Sequence, residues 1–545
     1  MFESENVTLK EVISLLQIRT SENTELRAQL ATLTQQLSDV QRQLAWFQKQ
    51  LFGQKSERRI VPPVTSSLGE QLWLGEAFKA QEEAPPVVAE ETVKAHARRK
   101  ATKAPIQIGD TESLLRFDAS IPVEEVLLPA VGIEELSEDQ YEVIDHEESY
   151  KLAQTPSSYV IIKYRRPVIK IKESGELHTA PMPPMVVDRS FSDVSLYAGM
   201  LMDKFVYHIP LNRQYERLKA FGVTVSRATL PSQAIRAIEL LEPIYQAQAE
   251  SVLSSGVIAM DDTWMKVGVS SPGKMHKGHF WPIYGDRDEI IFPYAESRRD
   301  EEVEKLLGNY RGVVLADGHT AYDKYAARHA EVIRAQCWVH TRRNFFELDG
   351  PPELREEALT RIGRMYEVEE RIKKRKLLGE AKVAYRGEHA KPIVEGFFEW
   401  LRKVCRERML LPTDPFLKAA VYALNRTEAL RVYLSHPDVP MDTNHEERAL
   451  RVIPMGRRNY LFCWSELGAT CVGRIQSLLV TCKLHGIDPY TYLVDVLQRI
   501  QTHRMSEVAQ LTPRLWKEHF AHDPMLSPLE TARRRRIAND ALKKG

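Results

Sequence analysis

The chain has 545 residues, 43% hydrophobic and 28% charged, which is ordinary for a globular protein and too long for a single core, so about three or four domains are expected. Its 75 basic residues balance 75 acidic ones, which excludes a uniformly cationic nucleic-acid coat but not a local positive surface. No run of about eighteen apolar residues occurs and the N-terminus lacks a basic region followed by an apolar block, so neither a membrane span nor a secretory signal is expected, and the cytoplasm is the expected compartment. Five sparse cysteines, Cys337, Cys405, Cys463, Cys471 and Cys482, do not suggest a disulfide framework.

The clearest periodicity comes first. Leu9, Val12, Leu16, Leu26, Leu30, Leu33, Leu37, Val40, Leu44, Phe47 and Leu51 keep one phase, with Arg19 and Asn23 at the two interrupting seam positions. This predicts a coiled-coil oligomerisation helix over 1–53, ended by Gly53, that brings copies of the chain together as a homodimer or higher oligomer. A linker with two Pro-Pro pairs follows over 54–110. Residues 111–200 read as a small β-containing module, with β-rich runs at 159–164 and 168–172 on either side of Pro167. Its charge is uneven: 112–148 holds twelve acidic residues against Arg116 alone, whereas 163–172 is basic, as are 448–458 and 533–536.

Residues 201–255 read as helical. An amphipathic stretch over 211–220, a break at Phe221-Gly222-Val223 and Ser226 as a cap for the next helix are compatible with a helix-turn-helix. From 256 to 345, strands at 257–260, 279–284, 290–294, 313–316 and 332–339 alternate with helices at 300–307 and 321–330, a mixed α/β sheet. Residues 346–440 read as a helical insertion, 441–500 as the second part of the core with a helix over 443–453, and 501–545 as a basic tail.

Two aspartates stand at strand ends, in AMDDTW and VLADGH, where a sheet stops and a ligand can enter. A third carboxylate lies in NHEERALR, beyond a gap wide enough to contain the helical insertion. Oxygen donors of this kind suit Mg²⁺ or Mn²⁺, and two such ions can serve an in-line displacement at phosphorus. Cys337 and His340 are a lone pair of possible ligands, and the other cysteines have the wrong spacing for zinc. Taken singly, each Asp is also an ordinary turn residue, and Glu447 is also an i,i+4 partner of Arg451.

In order along the chain, LFGQKSER, HIPLNRQYERLKAFGVTVSRATL, MDDT, ADGHTAYDKY, AQCWVHTRRNFFEL, NHEERALR, GRRNYLF and HGIDPYTYLVDVL resemble a transposase of the insertion-sequence-66 family. The resemblance implies a multidomain α/β protein whose ribonuclease-H-like catalytic core carries a helical insertion. It also implies an Asp-Asp-Glu triad at Asp261 (beside Asp262), Asp317 and Glu447, rather than Glu446, holding two Mg²⁺ or Mn²⁺ ions. Arg342, Arg343, Arg448, Arg451, Arg457 and Arg458 would then hold DNA phosphates, with Trp338 and His340 close by. The implied activity is cleavage of insertion-sequence ends and joining of the 3′ ends to target DNA. The partners are double-stranded terminal inverted repeats and target DNA, a second copy of the chain, and small accessory proteins of the same element. The rival expectations are an inactive DNA-binding or assembly protein, and a metal-dependent nuclease without strand transfer. Three departures stand out: no cysteine precedes Cys337, so the family's zinc module, if it corresponds to 111–200, folds without zinc; His319 replaces a common Tyr; and Thr443 replaces a common Asn.

Overall fold

The computed structural model describes most of residues 106–542, apart from 109–114, 118–120, 129–139, 156–157, 174, 184, 188–189, 269–273, 349–351, 408–410 and 412. The heptad helix expected over 1–53 and nearly all of the linker lie outside the described residues. Strands β1 (Ile106–Ile108) and β2 (Leu115–Phe117) open the described chain. In the sheet that follows, β3 (Val123–Leu127) runs parallel to β5 (Ser158–Ile171), which pairs antiparallel with β4 (Tyr141–Thr155) and with β6 (Leu177–Thr179). The two runs flanking Pro167 are therefore one strand. Pro167 falls between Arg165, the last partner of β3, and Val168, the first partner of β6, so its missing N–H interrupts no ladder on that side.

The uneven charge is neutralised across this sheet. Lys163 meets Glu148 at 2.8 Å, Arg165 meets Glu125 at 2.8 Å, and Arg166 pairs with Glu147. From the C-terminal tail, Arg536 reaches Glu124 at 3.0 Å. The stretch over 448–458 leaves Arg448, Arg451 and Arg458 exposed, and 533–536 likewise leaves Arg534, Arg535 and Arg536 exposed.

Helix α1 (Val194–Phe205) is capped by Asp193 and buried along nearly its whole length. Helix α2 (Leu211–Ala220) ends at Phe221, and Gly222, at φ +85°, turns the chain into β7 (Val223–Thr224), which pairs with β2. Helix α3 (Thr229–Leu240) then starts without a side-chain cap: Ser226 bonds the Thr229 hydroxyl at 2.9 Å rather than a helix N–H. Helix α4 (Glu242–Leu253) lies directly against the next sheet, where Gln248 donates to the Ile290 carbonyl at 2.7 Å.

That sheet is built around a meander broken in the middle. Strand β8 (Val257–Met260) continues as β9 (Thr263–Gly268), β10 (Met275–Phe280) as β11 (Ile283–Gly285), and β12 (Ile290–Ile291) as β13 (Tyr294–Ala295). Register is conserved across the gap, since Met260 pairs Ile283 and Thr263 pairs Phe280. Asp261-Asp262 thus lie opposite Trp281-Pro282, and Phe292-Pro293 lies beyond. Two prolines that cannot donate to a ladder open the sheet level with Asp261 and Asp262. The Trp281 N–H donates to the Pro293 carbonyl at 3.0 Å.

Helix α5 (Asp300–Leu307) leads to β14 (Gly312–Ala316), and α6 (Thr320–Arg328) leads to β15 (Val332–Gln336). The resulting order is β12-β11-β8-β14-β15, with β8, β14 and β15 parallel. The strand expected to reach position 339 stops at Gln336, because helix α7 (Trp338–Phe346) starts there and sends Trp338 into the neighbouring helical core.

That core belongs to α7, α8 (Pro352–Arg375), α9 (Gly379–Tyr385), a π-turn at Arg386–Ala390, α10 (Lys391–Glu407), α11 (Pro415–Leu424) and α12 (Thr427–Ser435). Phe345, Phe397, Phe398 and Phe416 fill it. The chain returns through α13 (Asn444–Leu450), α14 (Val452–Tyr460) and β16 (Phe462–Cys463), which adds to β9. Helices α15 (Glu466–Leu484), α16 (Pro489–Arg499), α17 (Pro513–His519) and α18 (Pro528–Leu542) finish the chain.

Candidate active site

Strands β8 and β14 run parallel with Met260 opposite Ala316, so the chain leaves both strands side by side, at Asp261 and Asp317. Asp317 accepts the His319 N–H at 2.9 Å, and Arg334 donates to its backbone carbonyl. Burial first, then the carboxylates of Asp317, Asp262 and Glu447, push Asp261 up to about 7. Its neighbour has the opposite environment. Burial works against ionised Asp262, but His279 Nδ1 at 3.0 Å and Arg298 Nε at 2.7 Å hold it below the usual carboxylate range. Arg298 also stands 3.9 Å from Asp317.

Helix α13 brings the third carboxylate. Glu447 lies 3.4 Å from Arg343 and 3.7 Å from His340, and its Oε1 is a buried atom with no hydrogen-bond partner. Glu446 is fully buried, neither of its oxygens has a donor, and burial beside Asp261, Glu447 and Asp317 pushes it well above its ordinary value. The helix is tied to the sheet through Cys337, whose Sγ receives the Thr443 N–H at 3.4 Å and hydroxyl at 3.3 Å. Trp338 N–H donates to the Met441 carbonyl at 3.1 Å. Cys337 and Trp338 are therefore parts of the frame, buried and holding α13 in place.

Among the described residues no group of three His, Cys, Asp or Glu side chains is drawn together as a closed metal cage. Basic groups intervene: Arg298 stands at Asp262 and Asp317, and Arg343 stands at Glu447 beside the imidazole of His340, which burial pushes toward its neutral form. What fits a hard cation is the donor set itself, all oxygen, with buried carboxylate atoms that no protein donor satisfies.

The Transposase IS66 family model matches residues 189–471, the stretch that contains all of these side chains, and the IS66 C-terminal element matches 477–514. The chain belongs to the IS66 transposase family. A model described as Transposase C of IS166 homeodomain matches 39–126. Similar proteins include the uncharacterized protein y4hP of Sinorhizobium fredii (strain NBRC 101917 / NGR234), 30% identical over 401 residues, covering 69% of this chain and 72% of that one. Protein y4qI of the same organism is 26% identical over 414 residues, covering 72% and 75%. Membership in this family points to a transposase that binds and cleaves DNA. Among the described residues, no helix is long and apolar enough to cross a membrane.

Of the arginines that the family resemblance singles out, only Arg343 touches the acidic group, at Glu447. Arg342 lies over the Phe346 ring at 5.6 Å, and Arg448, Arg451 and Arg458 are exposed on α13 and α14. Arg457 stacks on the Trp264 ring at 4.0 Å and donates to its carbonyl at 2.5 Å. Sequence reasoning did not find His279, Arg298 or a buried Glu446. The β9–β10 register, with His279 opposite Trp264, would have found the first; no local pattern marks Arg298.

Proposed function

We propose that the protein is a DNA transposase that cleaves the ends of an insertion sequence and joins their 3′ ends to target DNA at a ribonuclease-H-like core. The observation carrying this reading is the placement of Asp261 and Asp317 at adjoining ends of two parallel strands, with Glu447 brought to them from α13. The strand order β12-β11-β8-β14-β15 supports the ribonuclease-H-like assignment. Asp261, Asp317 and Glu447 would hold two Mg²⁺ or Mn²⁺ ions, which when bound supply positive charge to the attacking and leaving oxygens.

Asp262 orients rather than ligates, because His279 and Arg298 already occupy its oxygens. Arg343 and His340 set the position of Glu447, and the exposed Arg448, Arg451 and Arg458 meet the DNA backbone. In the first step water attacks the phosphodiester, the P–O3′ bond breaks and a free 3′-hydroxyl leaves. In the second step that hydroxyl attacks a target phosphodiester and displaces a new 3′-hydroxyl. The two steps are the same displacement with different nucleophiles, so one acidic site serves both.

A homodimer or higher oligomer formed through the heptad helix, accessory proteins of the same element, and a cytoplasmic, nucleoid-associated location complete the proposal. The test combines terminal-inverted-repeat DNA, target DNA and Mg²⁺ or Mn²⁺. Joined products that disappear in Asp317→Asn are expected. Cleavage without joining would make the protein a nuclease, and no metal-dependent reaction would make it a binding protein. Deleting residues 1–52 is expected to lower the mass seen by light scattering.

A further inference from the structure

The outer face of β9, β10 and β16 carries chemistry that the acidic site does not use. Met265 and Val267 point into the core, which places Trp264, Lys266 and Gly268 on the opposite face. Register aligns His279 with Trp264, Lys277 with Lys266, and Met275 with Gly268, while Phe462 lies on the other side of Lys266. Trp464 continues the β16 edge. It is 81% exposed, with its ring 4.9 Å from that of Phe462. Its backbone crosses so close to Gly268 that a Cβ there would stand 2.3 Å from the Trp464 carbonyl. Lys277 Nζ lies 4.9 Å from the Trp264 ring, with Arg457 also packed on it.

Two features make this face unlike an ordinary solvated sheet. Lys266 and Lys277 are direct cross-strand partners, a like-charge arrangement that costs stability, and neither is in an ion pair among the described residues. The three strands contain no acidic residue at all. The face also adjoins the acidic site, since His279 at its end bonds Asp262.

We propose that this face binds unpaired DNA strand next to the scissile phosphate. Lys266 and Lys277 meet the phosphates, and Trp464, with the Phe462 ring packed against it, stacks on a base. Single-stranded rather than duplex DNA is the occupant, because exposed aromatic rings gain by stacking only on bases freed from a helix. The proposal rests on reading the adjoining carboxylates as a DNA-cutting centre.

The experiment uses the full chain and two fluorescein-labelled probes of one mixed sequence, a 15-mer single strand and its duplex, followed by anisotropy at several salt concentrations. Trp464→Ala is expected to weaken single-strand binding about tenfold, with Trp464→Phe restoring most of it and duplex binding unchanged. Lys266→Ala with Lys277→Ala should reduce the single-strand salt slope by about 1.4. Matching thermal melts exclude misfolding. Unchanged single-strand affinity in these variants overturns the proposal, and so does an equal loss on duplex, which would make the face a general DNA surface. End cleavage by the wild type is scored separately: cleavage with unchanged single-strand binding in the variants removes this face but leaves the transposase reading. The reverse pattern, selective loss of single-strand binding in a chain that cleaves nothing, upholds the face and removes that reading.

Discussion

Asp261 and Asp262 are neighbours in the chain and opposites in environment, the first pushed up to about 7 and the second held below its usual range. In the unfolded chain both titrate near about 4. Ionised Asp261 therefore penalises the fold fully above pH ~7, and the penalty shrinks between 7 and 4. Asp262 contributes stability that is present above pH ~4 and lost as pH falls through its lowered value. At pH 8 in EDTA, Asp261→Asn is expected to raise Tm by about 2 °C and Asp262→Asn to lower it by a similar amount. The gain from Asp261→Asn is smaller at pH 5.5. Mg²⁺ then raises the wild-type Tm but not that of Asp261→Asn. Scanning fluorimetry at the two pH values checks this, and shifts of one sign for both variants would refute the assignment of roles.

Glu446 and Glu447 pose the same choice on α13. Glu447 is partly accessible and held by Arg343 and His340, whereas Glu446 is fully buried and pushed toward its neutral form. A neutral side chain at 446 is thus close to the state the fold already favours. Glu447→Gln is expected to lower end cleavage by at least about a thousandfold, on the scale of losing a group that acts only in the transition state. Glu446→Gln should keep the wild-type melting temperature and measurable cleavage. Full activity in Glu447→Gln with none in Glu446→Gln would move the third ligand to Glu446.

The strands leading to Asp261 and Asp317 were legible because β8 and β14 are short apolar runs, buried on both faces and ending at an acidic residue. The breaks at Pro282 and Pro293 were written in the sequence too, yet 279–284 and 290–294 read as unbroken strands. Only the pairing register shows that both prolines fall level with the aspartates. Pro167 misled in the other direction, since its harmlessness depends on where β3 ends. Arg298 was invisible for the same reason: its partners, Asp262 and Asp317, are joined to it by tertiary packing and not by any spacing along the chain.

Arg386 occupies the π-turn between α9 and α10, is 0% exposed, and forms a two-pronged ion pair with Glu369. The same guanidinium donates to the carbonyls of Tyr433, in the last turn of α12, and of His436 and Val439, in the loop that leads into α13. Removing it takes from Glu369 its guanidinium partner and a donor from each of the three carbonyls, of which His436 keeps the Val439 N–H at 3.3 Å. Arg386→Ala is expected to cost about 3–5 kcal/mol in urea unfolding and to lower cleavage further by loosening Glu447. Arg386→Lys recovers part of the stability, since one ammonium cannot match the planar fork. A loss under about 1 kcal/mol for Arg386→Ala would show that the loop is held by its other contacts.

Helix α15 docks on the broken strand through three small residues spaced one turn apart. A Cβ on Gly473 would stand 2.1 Å from the Phe292 carbonyl, Ser477 Oγ accepts the Phe292 N–H at 2.9 Å, and Thr481 Oγ1 accepts the Ile290 N–H at 3.3 Å. Spacing of four puts all three on one helix face, so the glycine lets the helix approach and the two hydroxyls receive the N–H groups on the open edge of β12, the edge strand of its sheet. The obstacle at Gly473 is backbone, which cannot swing aside. Gly473→Ala is therefore expected to destabilise by about 1–3 kcal/mol despite its better helix propensity. Ser477→Ala leaves the Phe292 N–H unpaired and should cost about 1–2 kcal/mol. Since Phe292-Pro293 lies alongside Trp281-Pro282, which faces the two aspartates, both variants should lower kcat more than they raise KM. Urea unfolding with end-cleavage kinetics measures both effects, and a Gly473→Ala protein as stable as wild type would show that the helix and the broken strand are not in this close register.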